Sequence, residues 1–444
     1  MLTAERSRSK AVREWLYSLR ARGMKLGLDN MQRAMRILDL SNPGPVIVHV
    51  AGTNGKGSVS AMITAILSAA GLRVGLYTSP HLIDLKERIT INNVQINEAK
   101  LSELINRVKH QLEEQTSPPV KLTFFEYITA VAMSYFSENE VDVIVAETGL
   151  GGRYDATNVL ESSVSVITQI GIDHIDQLGN TIESIAREKA GIIKEGVGVI
   201  SSAKEPLAMR IIRSRASDLN CTLIEQGKDF RYGRVHCDLN ATIFDYDGAR
   251  KLDEIKTNLL GSHQAENCAT AIATCDLLAG EKNIPIDSEQ VIKGLKKVEW
   301  HGRLEIISYK PLILVDCGHN QSAVRETLSS LCGLGKLPDT VIFACSKDKD
   351  YKGIASILFP SAKRLILTKY ANERALEPRR LAELLGSSEK QIFITESVAE
   401  AIGKAKLITP DDETVLIIGS IFLVGETLSL MLYGNQADLE MAGF

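Results

Sequence analysis

The sequence predicts an α/β fold in two domains, a larger N-terminal one on a parallel sheet and a smaller, Rossmann-like C-terminal one. Three observations predict it. Short β-branched runs alternate with longer stretches of helical periodicity, the pattern of strands and crossover helices on a parallel sheet. At 444 residues the chain exceeds what one core usually serves. A fresh series of strand and helix patterns begins after Trp300. That puts a boundary near residue 298 and divides the chain into 1–297 and 298–444.

The elements follow in order. Val46–Val50 reads as a strand, and Ser58–Ala70 has helical spacing that stops at Gly71. Arg73–Tyr77 is the next strand and Glu126–Phe136 an apolar helix. Val141–Ala146 is a continuous apolar run ending in Glu147, as a strand buried on both faces should be. Val164–Thr168 and Val197–Ser201 repeat the theme. Between Cys221 and Asn258, short alternating segments broken by Asp-Gly and Tyr-Gly pairs predict an antiparallel extension or edge. Helical spacing returns over His263–Ala279. The second series comprises strands Leu312–Val315, Thr340–Cys345, Arg364–Thr368 and Thr414–Ile418, with helices Ser322–Leu331 and Pro378–Leu385. The apolar tract Val415–Gly425 reads as a buried strand and turn, too short to span a bilayer.

Composition excludes several classes of function. Hydrophobic residues make up 44% and charged residues 24%, a globular and not a disordered balance. A net charge of −4 argues against nucleic acid or an anionic membrane as partner. The seven cysteines are odd in number and none forms a C-x-x-C pair, which fits a reducing cytoplasm. Met1–Lys10 lacks the apolar centre of a signal peptide.

Chemistry concentrates at a few loops. Gly52-Thr53-Asn54-Gly55-Lys56-Gly57-Ser58 lies between a predicted strand and a predicted helix. Glycines there let backbone N–H groups turn toward a polyphosphate, the helix N-terminus adds partial positive charge, and Lys56 adds a full one. Ser58 offers a hydroxyl for a metal. The spacing departs from a strict Walker A motif, because Val50 occupies the first glycine position and Gly57 separates lysine from serine. Glu147 ends a strand and opens a glycine-rich stretch to Arg153, where a carboxylate suits magnesium. His174 follows a strand. Lys189, inside a helical pattern ending at Gly191, reads by periodicity alone as a solvated lysine.

Taken in order, Gly52–Ser58, Thr78–Leu82, Glu147–Arg153, Asp155–Asn158, Asp173-His174 and Glu188–Gly191 resemble the Mur ligase superfamily. Within it they are most similar to the folylpolyglutamate synthase/dihydrofolate synthase branch, and the resemblance runs from about Gly27 to Glu426. It implies a P-loop ATPase domain followed by a glutamate-ligase domain. It also implies ATP-dependent addition of L-glutamate to dihydropteroate or folates through an acyl-phosphate. Thr53, Asn54, Gly55, Lys56, Gly57 and Ser58 are then expected at the ATP phosphates. Ser79, Glu147 and His174 are expected to hold two magnesium ions, and Lys189 to be carbamylated. Asn267, in His263-Gln264-x-x-Asn267, is expected near adenine. Arg303 and Asp316 are expected to serve ATP binding from the second domain, and His319 to be catalytic. His301 stands where the family's W-P-G-R has proline, and Cys317-Gly318 where D-G-A-H-N has Gly-Ala. Gly419-Ser420-Ile421-Phe422-Leu423 resembles the closing G-S-x-Y-L strand.

The same resemblance assigns the acceptor. Gly27, Leu28, Asp29 and Asn30 match the segment contributing to a pterin pocket, and Leu122, Thr123, Phe124 and Phe125 a dihydropteroate-contacting stretch. Tyr154, Asp155 and Ala156 join them. About fifty residues precede Gly52, too few for the UDP-binding domain of the peptidoglycan ligases. A monomer is expected. A ligase with a non-folate acceptor, and a nucleotide-gated module that is no ligase, are the competing expectations.

Overall fold

The computed structural model describes residues 2–23, 27–40, 44–385 and 390–433. Its first domain is organised by an eight-stranded sheet. The strands are Val46–Ala51 (β1), Val74–Tyr77 (β2), Ile89–Ile91 (β3), Val94–Gln95 (β4), Val143–Glu147 (β5), Val164–Ile167 (β6), Gly198–Ser201 (β7) and Leu223–Glu225 (β8). Their order is β4-β3-β2-β5-β1-β6-β7-β8. From β2 to β8 all neighbours run parallel, and β3 and β4 add an antiparallel edge.

Strand β1 is central and apolar on both faces. Val48 and Val50 join the cluster built on the helices Lys56–Ala69 and Ser262–Glu281, while Ile47 packs with the cluster of Phe124–Glu138. Period-two alternation thus serves two cores at once, which is why this strand has almost no polar position. The exception is His49, fully buried, with Nε2 2.7 Å from the Thr157 hydroxyl.

The stretch expected to be antiparallel divides: its first strand, β8, joins the main sheet parallel to β7, and from Arg231 onward it forms a sheet of its own. Strands Arg231–Cys237 (β9), Thr242–Asp247 (β10) and Lys251–Thr257 (β11) pair antiparallel, and Phe244, Tyr246 and Ile255 turn their side chains into the first core. The second domain has a six-stranded sheet of Glu305–Tyr309 (β12), Leu312–Asp316 (β13), Thr340–Phe343 (β14), Arg364–Leu367 (β15), Gln391–Ile394 (β16) and Thr414–Ile418 (β17). Its order is β12-β13-β17-β14-β15-β16, parallel apart from β12.

One expectation needs correction. Residues 419–423 do not continue a strand: β17 stops at Ile418, and Ile421–Tyr433 is a helix. Leu423, Val424 and Leu428 are buried against the sheet, and the Phe422 N–H donates to the Ser420 hydroxyl at the helix start. A short continuous apolar run carries no period that separates a buried helix from a buried strand. In addition, the helix from Pro378 ends at Ala382 and finishes as a 3₁₀ turn, Glu383–Leu385. Among the described residues no helix is long and apolar enough to cross a membrane.

A candidate active site at the seam of the two domains

The carboxyl ends of β2, β5, β1 and β6 are adjacent, so the loops that leave them converge, as expected for a ligand site on an open α/β sheet. β1 leads into the glycine loop. Gly55 precedes the first residue of the helix Lys56–Ala69 with φ +87°, and a side chain there would also meet Asn267 Oδ1 at 2.6 Å. The Thr53 hydroxyl is spent on the next loop: it donates to the Gly171 carbonyl and accepts from the Gly171 N–H, both at 3.0 Å. Lys56 Nζ lies 3.3 Å from the Thr53 carbonyl and 4.0 Å from Glu147.

Glu147 is the last residue of β5 and is 5% exposed. Burial raises its carboxyl, against the opposing pull of Lys56. Its Oε2 accepts from the Ser79 N–H at 3.1 Å, which brings the loop after β2 onto the carboxylate. His174 has φ +52° before the short helix Ile175–Leu178. Burial, with Lys349 next, lowers its imidazole to about 4, so the ring is neutral and keeps a lone pair to offer.

Lys189 is not solvated. It is 4% exposed, and its Nζ donates to the Gly52 carbonyl at 2.7 Å. Burial, helped by the charge of Lys56, pulls its ammonium down to about 7. Helical spacing misreads it because the helix Ile182–Ala190 ends against the glycine loop, so its last turn faces protein instead of water.

The second domain contributes from the ends of β13, β17 and β14. Asp316 accepts from the Gly318 N–H at 2.8 Å, the Thr327 hydroxyl at 3.0 Å and the Leu304 N–H at 2.9 Å. It therefore holds the turn that carries Arg303. His319 has Nδ1 2.9 Å from the Cys317 carbonyl and Nε2 3.3 Å from Asp173. Asn320 donates to Asn54 at 3.0 Å and to Asp173 at 3.1 Å, and Lys349 pairs with Asp173 at 2.6 Å. Burial would raise the Asp173 carboxyl, but His319 and Lys349 outweigh it and hold it far below the usual range. One carboxylate thus anchors three second-domain residues.

A cavity of about 530 Å³ is lined by Thr53 through Ser58, Ser79, Glu147, His174, Lys189, Asn267, Arg303, Asp316 and His319. All nucleotide, metal and catalytic candidates therefore meet in one space. The donors suit a hard divalent cation beside phosphate oxygens: a buried carboxylate with its nearest ammonium 4.0 Å away, a serine and a neutral imidazole. Asp173, His174 and His319 also bring ligand atoms within 4.8 Å of one another, although Asp173 already has protein partners. Sequence reasoning missed Ser346, Lys349 and Arg374, which line the same cavity. Their position just beyond strands β14 and β15 was the available signal.

The acceptor candidates stand apart from this cavity. The helices Asp29–Ile37 and Phe124–Glu138 pack together with the turn Ala156–Val159. Leu122 is fully buried, and Thr123 forms a buried capping box with Glu126. Phe124 stacks on Tyr17 with centroids 5.8 Å apart, with Arg20 and Arg88 over the pair. Phe125 tilts against Tyr77 and packs on Gly149, so this wall does reach the loop after Glu147. Asp155 is buried and accepts from the Leu150 N–H at 2.8 Å and the Thr157 hydroxyl at 2.6 Å, Ala156 is buried, and Tyr154 is exposed. Gly27, Leu28 and Asn30 are half-buried and Asp29 exposed.

Comparison with known proteins gives the family. The Mur ligase middle domain matches residues 50–275, and the Mur ligase glutamate ligase domain matches residues 302–421. The dihydrofolate synthase/folylpolyglutamate synthase of Bacillus subtilis is 34% identical over 434 residues, covering 93% of this chain and 97% of that protein. The chain belongs to the folylpolyglutamate synthase/dihydrofolate synthase family of Mur-type ligases. Among solved members of that family, E. coli FolC in complex with DHPP and ADP superposes with a TM-score of 0.85 at 28% identity, covering 95% of this chain and 97% of that one. A bifunctional folylpolyglutamate synthase/dihydrofolate synthase with Mn, AMPPNP and L-glutamate bound gives 0.84 at 30% identity, covering 95% and 98%. The two-domain α/β architecture is the architecture of this family.

Proposed function

We propose that the chain joins L-glutamate to a pteroyl-type carboxylate, dihydropteroate or a folate (poly)glutamate or both, while ATP becomes ADP and phosphate. The observation that carries this reading is the single cavity in which Lys56, Glu147 and Lys189 of the first domain face Arg303, Asp316 and His319 of the second. The ligands of the related E. coli and Mn-bound structures supply the substrate class. The functional division falls near residue 298, and the enzyme works as a cytoplasmic monomer.

A carboxylate is a poor electrophile, so its oxygen first attacks the γ-phosphorus of ATP, giving an acyl-phosphate and ADP. The amine of glutamate then attacks the acyl carbon, and phosphate leaves from the tetrahedral intermediate. Catalysis of this kind is alignment and charge neutralisation. The N–H groups of the glycine loop and the N-terminus of the helix Lys56–Ala69 bind the polyphosphate. Lys56 neutralises the transferring phosphoryl group from one side and Arg303 from the other. Asp316 keeps Arg303 in place through the Leu304 N–H. Asn267 borders the base. Ser79, Glu147 and His174 would hold magnesium at two sites, which neutralises charge on the phosphate oxygens. Lys189, with its ammonium lowered to about 7, supplies neutral amine that adds CO2 with loss of one proton, and the carbamate anion so formed would help order a metal and the substrate. The wall of Phe124, Phe125, Tyr154 and Ala156, with residues 27–30, receives the flat acceptor ring.

Purified protein with ATP, magnesium and glutamate should release ADP on addition of dihydropteroate or tetrahydrofolate monoglutamate, and the pair of assays separates the two activities. Silence with every folate acceptor, with release on another carboxylate, would replace the acceptor class.

A further inference from the structure

Trp300 is one of two tryptophans in the chain, and none of the chemistry above uses it. It lies in the link between the helix Ser288–Lys296 and β12, where the chain passes from one sheet to the other. Its indole presses on Gly57, in the first turn of the helix that opens the glycine loop. A Cβ on Gly57 would stand 2.6 Å from Cζ2, 3.0 Å from Cε2 and 3.2 Å from Nε1. Gly57 is helical with no unusual φ, so it is this ring, and not the backbone, that requires glycine there. The odd spacing of the loop, with a glycine between lysine and serine, has its explanation in a residue 243 positions later in the sequence.

The other end of the same short segment belongs to the second domain. Gly302 has φ +70°, and a side chain there would meet Cys317 Sγ at 2.7 Å. Its carbonyl accepts from the Cys317 N–H at 2.9 Å, and the next residue but one, Leu304, donates to Asp316 at 2.9 Å. Arg303 sits between these anchors and lines the cavity. Three residues of chain span at most about 10 Å, so Trp300 and Arg303 cannot move independently by much. The indole Nε1 is buried with no hydrogen-bond partner, so what holds the ring is its packing.

We infer that Trp300 is a positioning residue: seated on the first turn of the phosphate-binding helix, it sets where Arg303 stands in the cavity. A polyphosphate gripped by the N–H groups of that turn orders the surface on which the indole rests, and the indole transmits the order to Arg303 across the seam. The inference rests on the nucleotide reading of the loop.

The first arm of the test needs no acceptor, and the second follows turnover with one. In Trp15→Phe, Trp300 is the sole tryptophan, and its emission should shift or change intensity as Mg·ATP is titrated in, with the midpoint matching binding followed by equilibrium dialysis. In Trp300→Ala, nucleotide affinity should stay within about threefold while kcat falls, since a misplaced catalytic group costs on the order of 10²-fold. Trp300→Phe, which keeps a flat ring over Gly57, should recover most of the kcat. This rescue also shows that the loss in the alanine variant is not misfolding. Emission that does not respond at nucleotide saturation, or equal losses of affinity and kcat in Trp300→Ala, overturns the inference. Absence of nucleotide binding by dialysis overturns it together with the reading beneath it.

Discussion

The two walls of the cavity are built on different terms. In the first domain Glu147 and Lys189 are 5% and 4% exposed, and the direction of each shift is set by loss of water: the carboxyl is raised, the ammonium lowered. In the second domain the candidate catalytic groups are set by geometry. Asp316 is spent on three hydrogen bonds that shape its own turn, and His319 is held between a backbone carbonyl and Asp173 of the opposite wall. One wall prepares protonation states and the other supplies position. Substitutions on the first wall should therefore act through charge, and those on the second through alignment.

The largest expected effect breaks the first wall. Lys189→Ala should lower kcat by roughly 10²–10³-fold, the scale of losing one preorganised electrostatic group, with partial recovery on adding short carboxylic acids. Nucleotide turnover that is unchanged in this variant would favour the nucleotide-gated module over a ligase. On the second wall, Arg303→Lys keeps the charge but loses the planar fork, so a drop in kcat on the order of tenfold is expected with KM for ATP little changed. A raised KM for ATP with kcat unchanged would mean that Arg303 serves binding alone.

The third expectation sharpens the contrast through pH. The Lys189 ammonium is lowered from 10.5 to about 7, so protons leave it as pH rises through that value. Only the neutral amine adds CO2 to form a carbamate, so at a fixed, limiting concentration of dissolved CO2 the rate of carbamylation should rise about tenfold from pH 6 to 8, as the neutral fraction goes from about a tenth to about nine-tenths. A lysine at its ordinary value would show a continued tenfold rise per unit well above pH 8. The smallest effect concerns the wall proposed for the acceptor. Thr123 caps the helix Phe124–Glu138 in a buried box with Glu126. Thr123→Ala should cost about 1 kcal/mol in urea unfolding and leave the acceptor KM in place. A raised KM with an unchanged midpoint would return Thr123 to substrate contact.

Much of this was legible in the sequence. Strands β1, β5, β6 and β17 appear within a residue or two of their expected ends, because a strand buried on two faces is apolar throughout and stops where a polar residue or glycine follows. The glycine loop and Glu147 were legible for the same reason: they sit directly after such runs. Lys189 was visible only through resemblance, since helical periodicity cannot tell a helix end that meets a loop from one that meets water. Residues 419–423 looked like a strand because a short apolar run has no period to read.

What the sequence by itself determined is local: where strands stop, where glycine frees a loop, and which charged residues follow. These depend on neighbours within a few positions. Only the tertiary structure decided that Trp300 lies on Gly57, that Asp173 holds Lys349 and His319, and that burial sets the state of Lys189. Those facts depend on contacts between residues up to two hundred or more positions apart, and on the exclusion of water that follows when two sheets bring their loops together.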